Sequence, residues 1–192
     1  MTFRSSIFCA ALSCVAALTL AGCGRHPPLA LLGVHPGMTQ DEVKAVAPAG
    51  SALYCRGGGD PDFEKATGLP ETGPLEFCTW ANVDSSGNRS RAQVEIGKTT
   101  SSQQLFAFDP SAGTLKSFSV EIAGNAYDAI VQSISEDWGT AKSPAIVSMP
   151  GLAEITDGVY WDGKDERLKV EPELTRSYMT VVTLYATTTP SN

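Results

Sequence analysis

Histidine is nearly missing from this chain, with two in 192 residues. His26 and His35 both precede the first expected helix, so the body of the sequence carries no imidazole to serve as the usual general base of a hydrolase. Neither G-x-S-x-G, S-x-x-K nor H-E-x-x-H occurs, which removes the anchors of the standard triad and zincin chemistries. C-x-x-C is absent too, so there is no thioredoxin-like redox pair and no ribbon-type zinc site. Charged residues make up 18% and never run together with one sign. The net charge of −7 therefore reads as a solvated acidic surface and argues against a nucleic-acid partner. The uncharged stretch 7–20 falls short of the roughly 20 residues of a spanning helix.

What stands at the beginning is an address. Arg4, the apolar stretch and then Leu20-Ala21-Gly22-Cys23 form a basic start, an apolar body and a small-residue cleavage site. Leu-Ala-Gly-Cys resembles the lipobox of bacterial lipoproteins, in which the cysteine is acylated and becomes the first mature residue. The resemblance implies a cleaved signal at 1–22, lipidation at Cys23, and a 170-residue mature chain of net charge −8. Gly24 after the cysteine, where an Asp would signal retention, implies the outer membrane, with the chain facing the periplasm and its acyl groups holding it there.

Cys9 and Cys14 leave with the signal and Cys23 is taken by lipid, so Cys55 and Cys78 remain. Two cysteines in an oxidising compartment, with none left over, are expected to form one disulfide. In the chain-entropy model a loop of that size contributes roughly 3–3.5 kcal/mol. No metal or cofactor is expected, because the two cysteines have no nearby ligand pair.

Residues 23–32 read as a short lipidated tether, 33–187 as one domain and 188–192 as a frayed tail. Thr39, with Glu42 three residues later, spells a capping box, followed by a helix at about 40–47 that Pro48 ends. Residues 49–73, rich in Gly, Pro and Asp, read as a long loop clipped by the disulfide and as the first choice for a contact surface. Asp60, Asp62 and Glu64 do not complete a calcium loop. Alternation then predicts a meander of strands near 75–83, 92–97, 104–109 and 115–122, with a bulge or an edge position in the last. Asn125 is expected to cap a longer helix with Tyr127, Ile130, Val131, Ile134 and Trp138 on its apolar stripe and Gly139 as its stop. Strands at 158–161, 167–171 and 178–186 follow, the first two joined by the turn Asp162-Gly163-Lys164-Asp165.

The halves 33–123 and 124–187 read alike. Thr79-Trp80 matches Tyr160-Trp161, the segment 91–95 matches 167–171, and 105–108 matches 181–185. Gly37-Met38-Thr39-Gln40-Asp41-Glu42-Val43 resembles the helix start of small envelope lipoproteins of the SmpA/OmlA (BamE) type. The layout of helices on one sheet is similar to the β-lactamase-inhibitor-protein fold, which doubles such a unit. The expected architecture is α+β, with two helices on one face of an antiparallel sheet of about six or seven strands.

Trp80, Trp138, Tyr160 and Trp161 are expected in the core more than around a ligand, with one member of each adjacent pair turned outward. Asp162, Asp165 and Glu166 sit in a hairpin turn, where such residues are placed for conformation. The expected function is a non-enzymatic protein-binding module of the envelope, an assembly subunit or an enzyme inhibitor. The alternative is a small-ligand-binding protein or hydrolase with an aromatic and carboxylate cleft.

Overall fold

The computed structural model describes residues 28–71, 73–143, 158–173 and 179–187. The signal, the lipobox with Cys23, and the tail at 188–192 lie outside these. Among the described residues no helix is long and apolar enough to cross a membrane. In chain order the elements are α1 (Gln40–Ala45), β1 (Ser51–Cys55), α2 (Pro61–Thr67), β2 (Glu76–Val83), β3 (Arg89–Arg91), β4 (Glu95–Ile96), β5 (Thr99–Thr100), β6 (Gln103–Asp109), β7 (Thr114–Ala123), α3 (Tyr127–Trp138), β8 (Val159–Asp162), β9 (Glu166–Glu173) and β10 (Met179–Ala186). The protein is α+β, as expected. Its main sheet is antiparallel in the order β1-β2-β6-β7-β10-β9-β8, with β3 on the end of β2, and β4 and β5 form a separate ribbon.

The order β2-β6-β7-β10-β9-β8 runs outward identically from its centre, where β7 and β10 pair along Ser117–Ala123. It sets β9 opposite β6. The expected matches of 91–95 with 167–171 and of 105–108 with 181–185 are therefore both displaced by one strand, because the chain leaves the sheet after Arg91. Arg89–Arg91 pairs with β2, Ala92 N–H makes the last bond to it at the Trp80 carbonyl, and Glu95–Ile96 turns into the ribbon. Val94 and Ile96 are buried against the helix layer, and the Gln104 amide holds the departing chain by donating to the Ala92 carbonyl at 2.9 Å. Gly97 lies so close under α3 that a Cβ there would sit 2.7 Å from the Ser133 hydroxyl.

The capping box forms as read. Thr39 N–H donates to the Glu42 carboxylate at 2.7 Å, and the Thr39 hydroxyl accepts from Glu42 N–H at 3.3 Å. The Thr39 N–H bond, together with a 2.9 Å bond that the Thr39 hydroxyl donates to the same carboxylate, lowers the Glu42 carboxyl below its ordinary range. The longer helix starts one residue later than expected: Ala126 stands at the cap with no side-chain bond, so Asn125 is not its N-cap. Ile130 and Ile134 are buried.

The expected long loop at 49–73 is instead β1 followed by α2. Asp60 caps α2 by accepting from Phe63 N–H at 3.0 Å, Pro61 opens it and Gly68 closes it in the left-handed region. Seven residues with only Phe63 and Thr67 buried leave little periodicity to read.

One face of the sheet carries the large core, in which α1 contributes Val43 and α3 contributes Ile130 and Ile134. The two expected helices thus share a face. α2 covers the other face of β1, β2 and β6 through a small cluster of Tyr54, Phe63, Leu69 and Ala81. The large core also contains Leu29 and Leu31, each 7% exposed, and Leu31 exchanges two 2.9 Å backbone bonds with Val34. The domain therefore begins by Leu29, and the expected tether ends sooner than residue 32.

The irregularity expected in 115–122 is a bulge in a central strand. Ala107 faces Ser117 but Phe108 faces Leu115, leaving Lys116 extra and placing Leu115 and Phe118 on one buried face. The turn before β7 is held by Asp109, whose carboxylate accepts from the Ser111 hydroxyl at 2.6 Å and from the N–H groups of Ser111 and Ala112. These bonds, the hydroxyl's first, hold Asp109 down to about 2. A folded-state value below the ordinary 3.8 means a contribution present above about pH 4 and lost as pH falls toward 2. A carboxyl-detected NMR titration should place the Asp109 midpoint near 2; a midpoint near 3.8 would show that the turn does not hold the carboxylate.

Candidate functional site

Beyond the part that α2 covers, the second face of the sheet has no helix over it among the described residues. β8, β9, β10 and β7 expose this face because each alternates, Trp161, Leu168, Val170, Val182, Leu184 and Val120 filling the core and their strand neighbours pointing away. Register then builds the surface row by row. Asp162, Arg167, Tyr185 and Ser117 form one row, and Tyr160, Lys169, Thr183 and Ser119 the next. Glu171, Val181 and Glu121 form the third. All but the exposed Asp162 are half-buried.

Most charges on this face are paired and held, Glu121 excepted. Arg167 donates through Nε to Asp162 at 2.7 Å, while its guanidinium lies 4.4 Å from the centre of the Tyr160 ring. Lys142 donates to the other Asp162 oxygen at 3.0 Å. Partial burial pushes the Asp162 carboxyl upward, but the bonds from Lys142 and Arg167 outweigh it and keep the group below the ordinary aspartate range. The same bond raises Arg167. Lys169 and Glu171 approach to 2.6 Å. What remains for a partner is a firm, weakly charged platform of tyrosine ring, aliphatic and hydroxyl groups.

The aromatic pairs divide as expected in the second half. Trp161 is buried and donates through Nε1 to the Gly139 carbonyl at 2.8 Å, whereas Tyr160 faces outward. In the first half Trp80 is buried, and Thr79 on the opposite face is buried as well. Trp138 packs against the large core. Of the turn carboxylates, Asp162 is taken up by its two cations, and Glu166 is buried, accepting from Asp165 N–H at 3.3 Å.

No family model, curated protein or solved structure matches this chain. The site therefore rests on its own geometry.

Cys55 and Cys78 are directly opposed in β1 and β2 and joined by a disulfide of 2.00 Å. With Glu76 they bring three ligand-type atoms within 4.8 Å, yet two of these are bonded to each other and offer no thiolate while the bond is intact. The segment expected as the contact loop is tied down. Tyr54 OH donates to Glu64 at 2.9 Å and accepts from Asp60 N–H at 2.9 Å, and Gly57 N–H donates to Glu64 at 2.7 Å. Arg89 spans the Tyr54 ring at 5.0 Å and Asp60 at 3.0 Å. Asp60 and Glu64 are thus spent on local structure. Beside them Arg56 and Pro70 line two open clefts of about 270 and 460 Å³, the smaller also walled by Leu75, Phe77 and Pro110.

The open face is brought together by strand order, which the sequence does not spell out locally. Its signal was the alternation Arg167-Leu168-Lys169-Val170-Glu171 against Val181-Val182-Thr183-Leu184-Tyr185, which marks two strands with one buried side and one polar-aromatic side.

Proposed function

We propose that this chain is a bacterial lipoprotein, acylated at Cys23 and anchored in the outer membrane facing the periplasm, that binds another envelope protein through the open sheet face. It acts without catalysis, as an assembly subunit or an inhibitor. The resemblance of Leu20–Cys23 to a lipobox supports the anchoring, and the resemblance of Gly37–Val43 to the helix start of SmpA/OmlA-type lipoproteins, with a sequence that carries no standard catalytic motif, supports a binding role. The observation that carries the reading is the set Tyr160, Val181 and Tyr185, half-buried on a face that no helix covers among the described residues and framed by ion pairs that need no partner. Tyrosine supplies large contact area at small entropic cost, and such residues dominate binding energy.

The test has two arms. Cys23→Ser should move the protein from the membrane to the soluble fraction. A photo-crosslinking residue at Thr183 should capture a defined envelope protein, and Tyr160→Ala with Tyr185→Ala should weaken that capture at least about tenfold, the equivalent of 1.4 kcal/mol, with the thermal midpoint nearly unchanged. Unchanged capture in the double variant would overturn the open face as the site. Capture only through residues flanking Arg56 would move the site to the clefts.

A further inference from the structure

The position of Leu29 shows where the anchor joins the fold. Its side chain is buried, and a Cβ added at Gly163 would lie 2.9 Å from its Cγ, so Leu29 sits under the β8–β9 turn. Register places that turn at one end of the sheet. Tyr185 faces both Arg167 and Ser117, Thr187 N–H donates to the Asp165 carbonyl at 2.8 Å, and the Asp109–Gly113 turn precedes β7 at this same end. The opposite end holds Val83 with the turn at 84–88, Gln103, Ala123 and Met179. The two ends are separated by the length of β7, ten residues or about 30 Å.

From Cys23 to Leu29 there are six peptide steps, which reach about 20 Å when fully extended. That is less than the length of the sheet. Resting on the anchoring proposed above, we infer that the end carrying the β8–β9 and β6–β7 turns faces the lipid bilayer and the 84–88 turn points into the periplasm. The strands then rise from the membrane, and the open face stands as a side wall. A partner lies alongside the domain, with the Asp162–Arg167–Tyr185 row nearest the lipid and the Glu171–Val181–Glu121 row farthest from it.

Acylated mature protein, beginning at Cys23, in phosphatidylethanolamine/phosphatidylglycerol vesicles tests this. With Cys23 acylated and Cys55 bonded to Cys78, Lys164→Cys or Ser86→Cys provides a single thiol for a fluorophore, both positions being exposed. Nitroxide lipids labelled at the headgroup should quench the position-164 label at least about twofold and leave the position-86 label close to its unquenched intensity. Inserting fifteen Gly/Ser residues after Gly24 should abolish the difference. Equal quenching at both positions, or stronger quenching at 86, on vesicle-bound acylated protein would overturn the orientation while leaving the anchoring intact. A mass without acyl chains and loss of vesicle binding would overturn the anchoring and the orientation with it.

Discussion

Phe106→Ala should lower the unfolding free energy by about 3–5 kcal/mol, the range for deleting a buried aromatic from a packed core. Phe106 is fully buried on β6 directly opposite Phe118, and the two rings stack at 4.5 Å and 5°. Trp80 closes on the pair edge-first at 4.7 Å from Phe106 and 5.8 Å from Phe118. Three strands, β2, β6 and β7, thus meet in one aromatic cluster beneath the helix layer, and removing its central ring leaves a void that the two neighbours, each fixed by a strand, cannot fill. For a domain of this size the loss corresponds to a fall of roughly 6–20 °C in thermal midpoint. Urea unfolding followed by tryptophan fluorescence measures it, with Val83→Ser, at an exposed strand end, expected within about 0.5 kcal/mol of the parent. A Phe106→Ala loss below 1 kcal/mol would mean that the cluster collapses freely and is not the keystone of the first half.

The same cluster shows what can be read from a sequence and what cannot. Phe106 and Phe118 stand in apolar, β-branched and aromatic segments bounded by turn residues, so the existence of their strands was legible although a bulge breaks the alternation of β7, and the capping box at Thr39 and Glu42 was legible too. α2 was not, because Asp60, Pro61 and Gly68 are helix boundaries that serve equally well as turn residues, and two buried side chains between them make no stripe. The passage from β3 to β5 was misread for another reason. Val94 and Ile96 alternate like a strand but spend their apolar surface on the helix layer, so the pattern was right and the partner was different.

Topology lies further from the sequence. Nothing local says that β10 inserts between β7 and β9; a simple meander satisfies the same alternation. Yet that insertion creates the site. Tyr160 could be read as outward-facing from its neighbour Trp161, but its company with Tyr185, Thr183 and Val181 comes only from the order β7-β10-β9-β8. The contact surface expected at 49–73 rested on the association of long loops with function, and it weakened once that segment proved to be bound into the fold by Tyr54, Glu64 and Arg89.

Removing the disulfide should have the second large effect, and a local one. Cys55→Ala with Cys78→Ala should cost about 3–3.5 kcal/mol by the chain-entropy relation for a 23-residue separation. The closed loop contains all of α2, and β1 is the end strand of the sheet, paired with β2 and capped on one side by α1. Released from Cys78, β1 and α2 should open together as one low-stability unit, so their amides should exchange with solvent faster than those of β7 and β10, which pair on both sides. A urea-midpoint shift sets the total, and hydrogen exchange by mass spectrometry locates it. Uniform acceleration across all strands would show instead that the bond supports the whole domain at once. The open face is built from β7 to β8, on the far side of the sheet from β1, and shares no residue with the loop. Crosslinking from Thr183 should therefore survive the double cysteine variant at temperatures where the domain stays folded, which separates the half that the disulfide stabilises from the half proposed to bind.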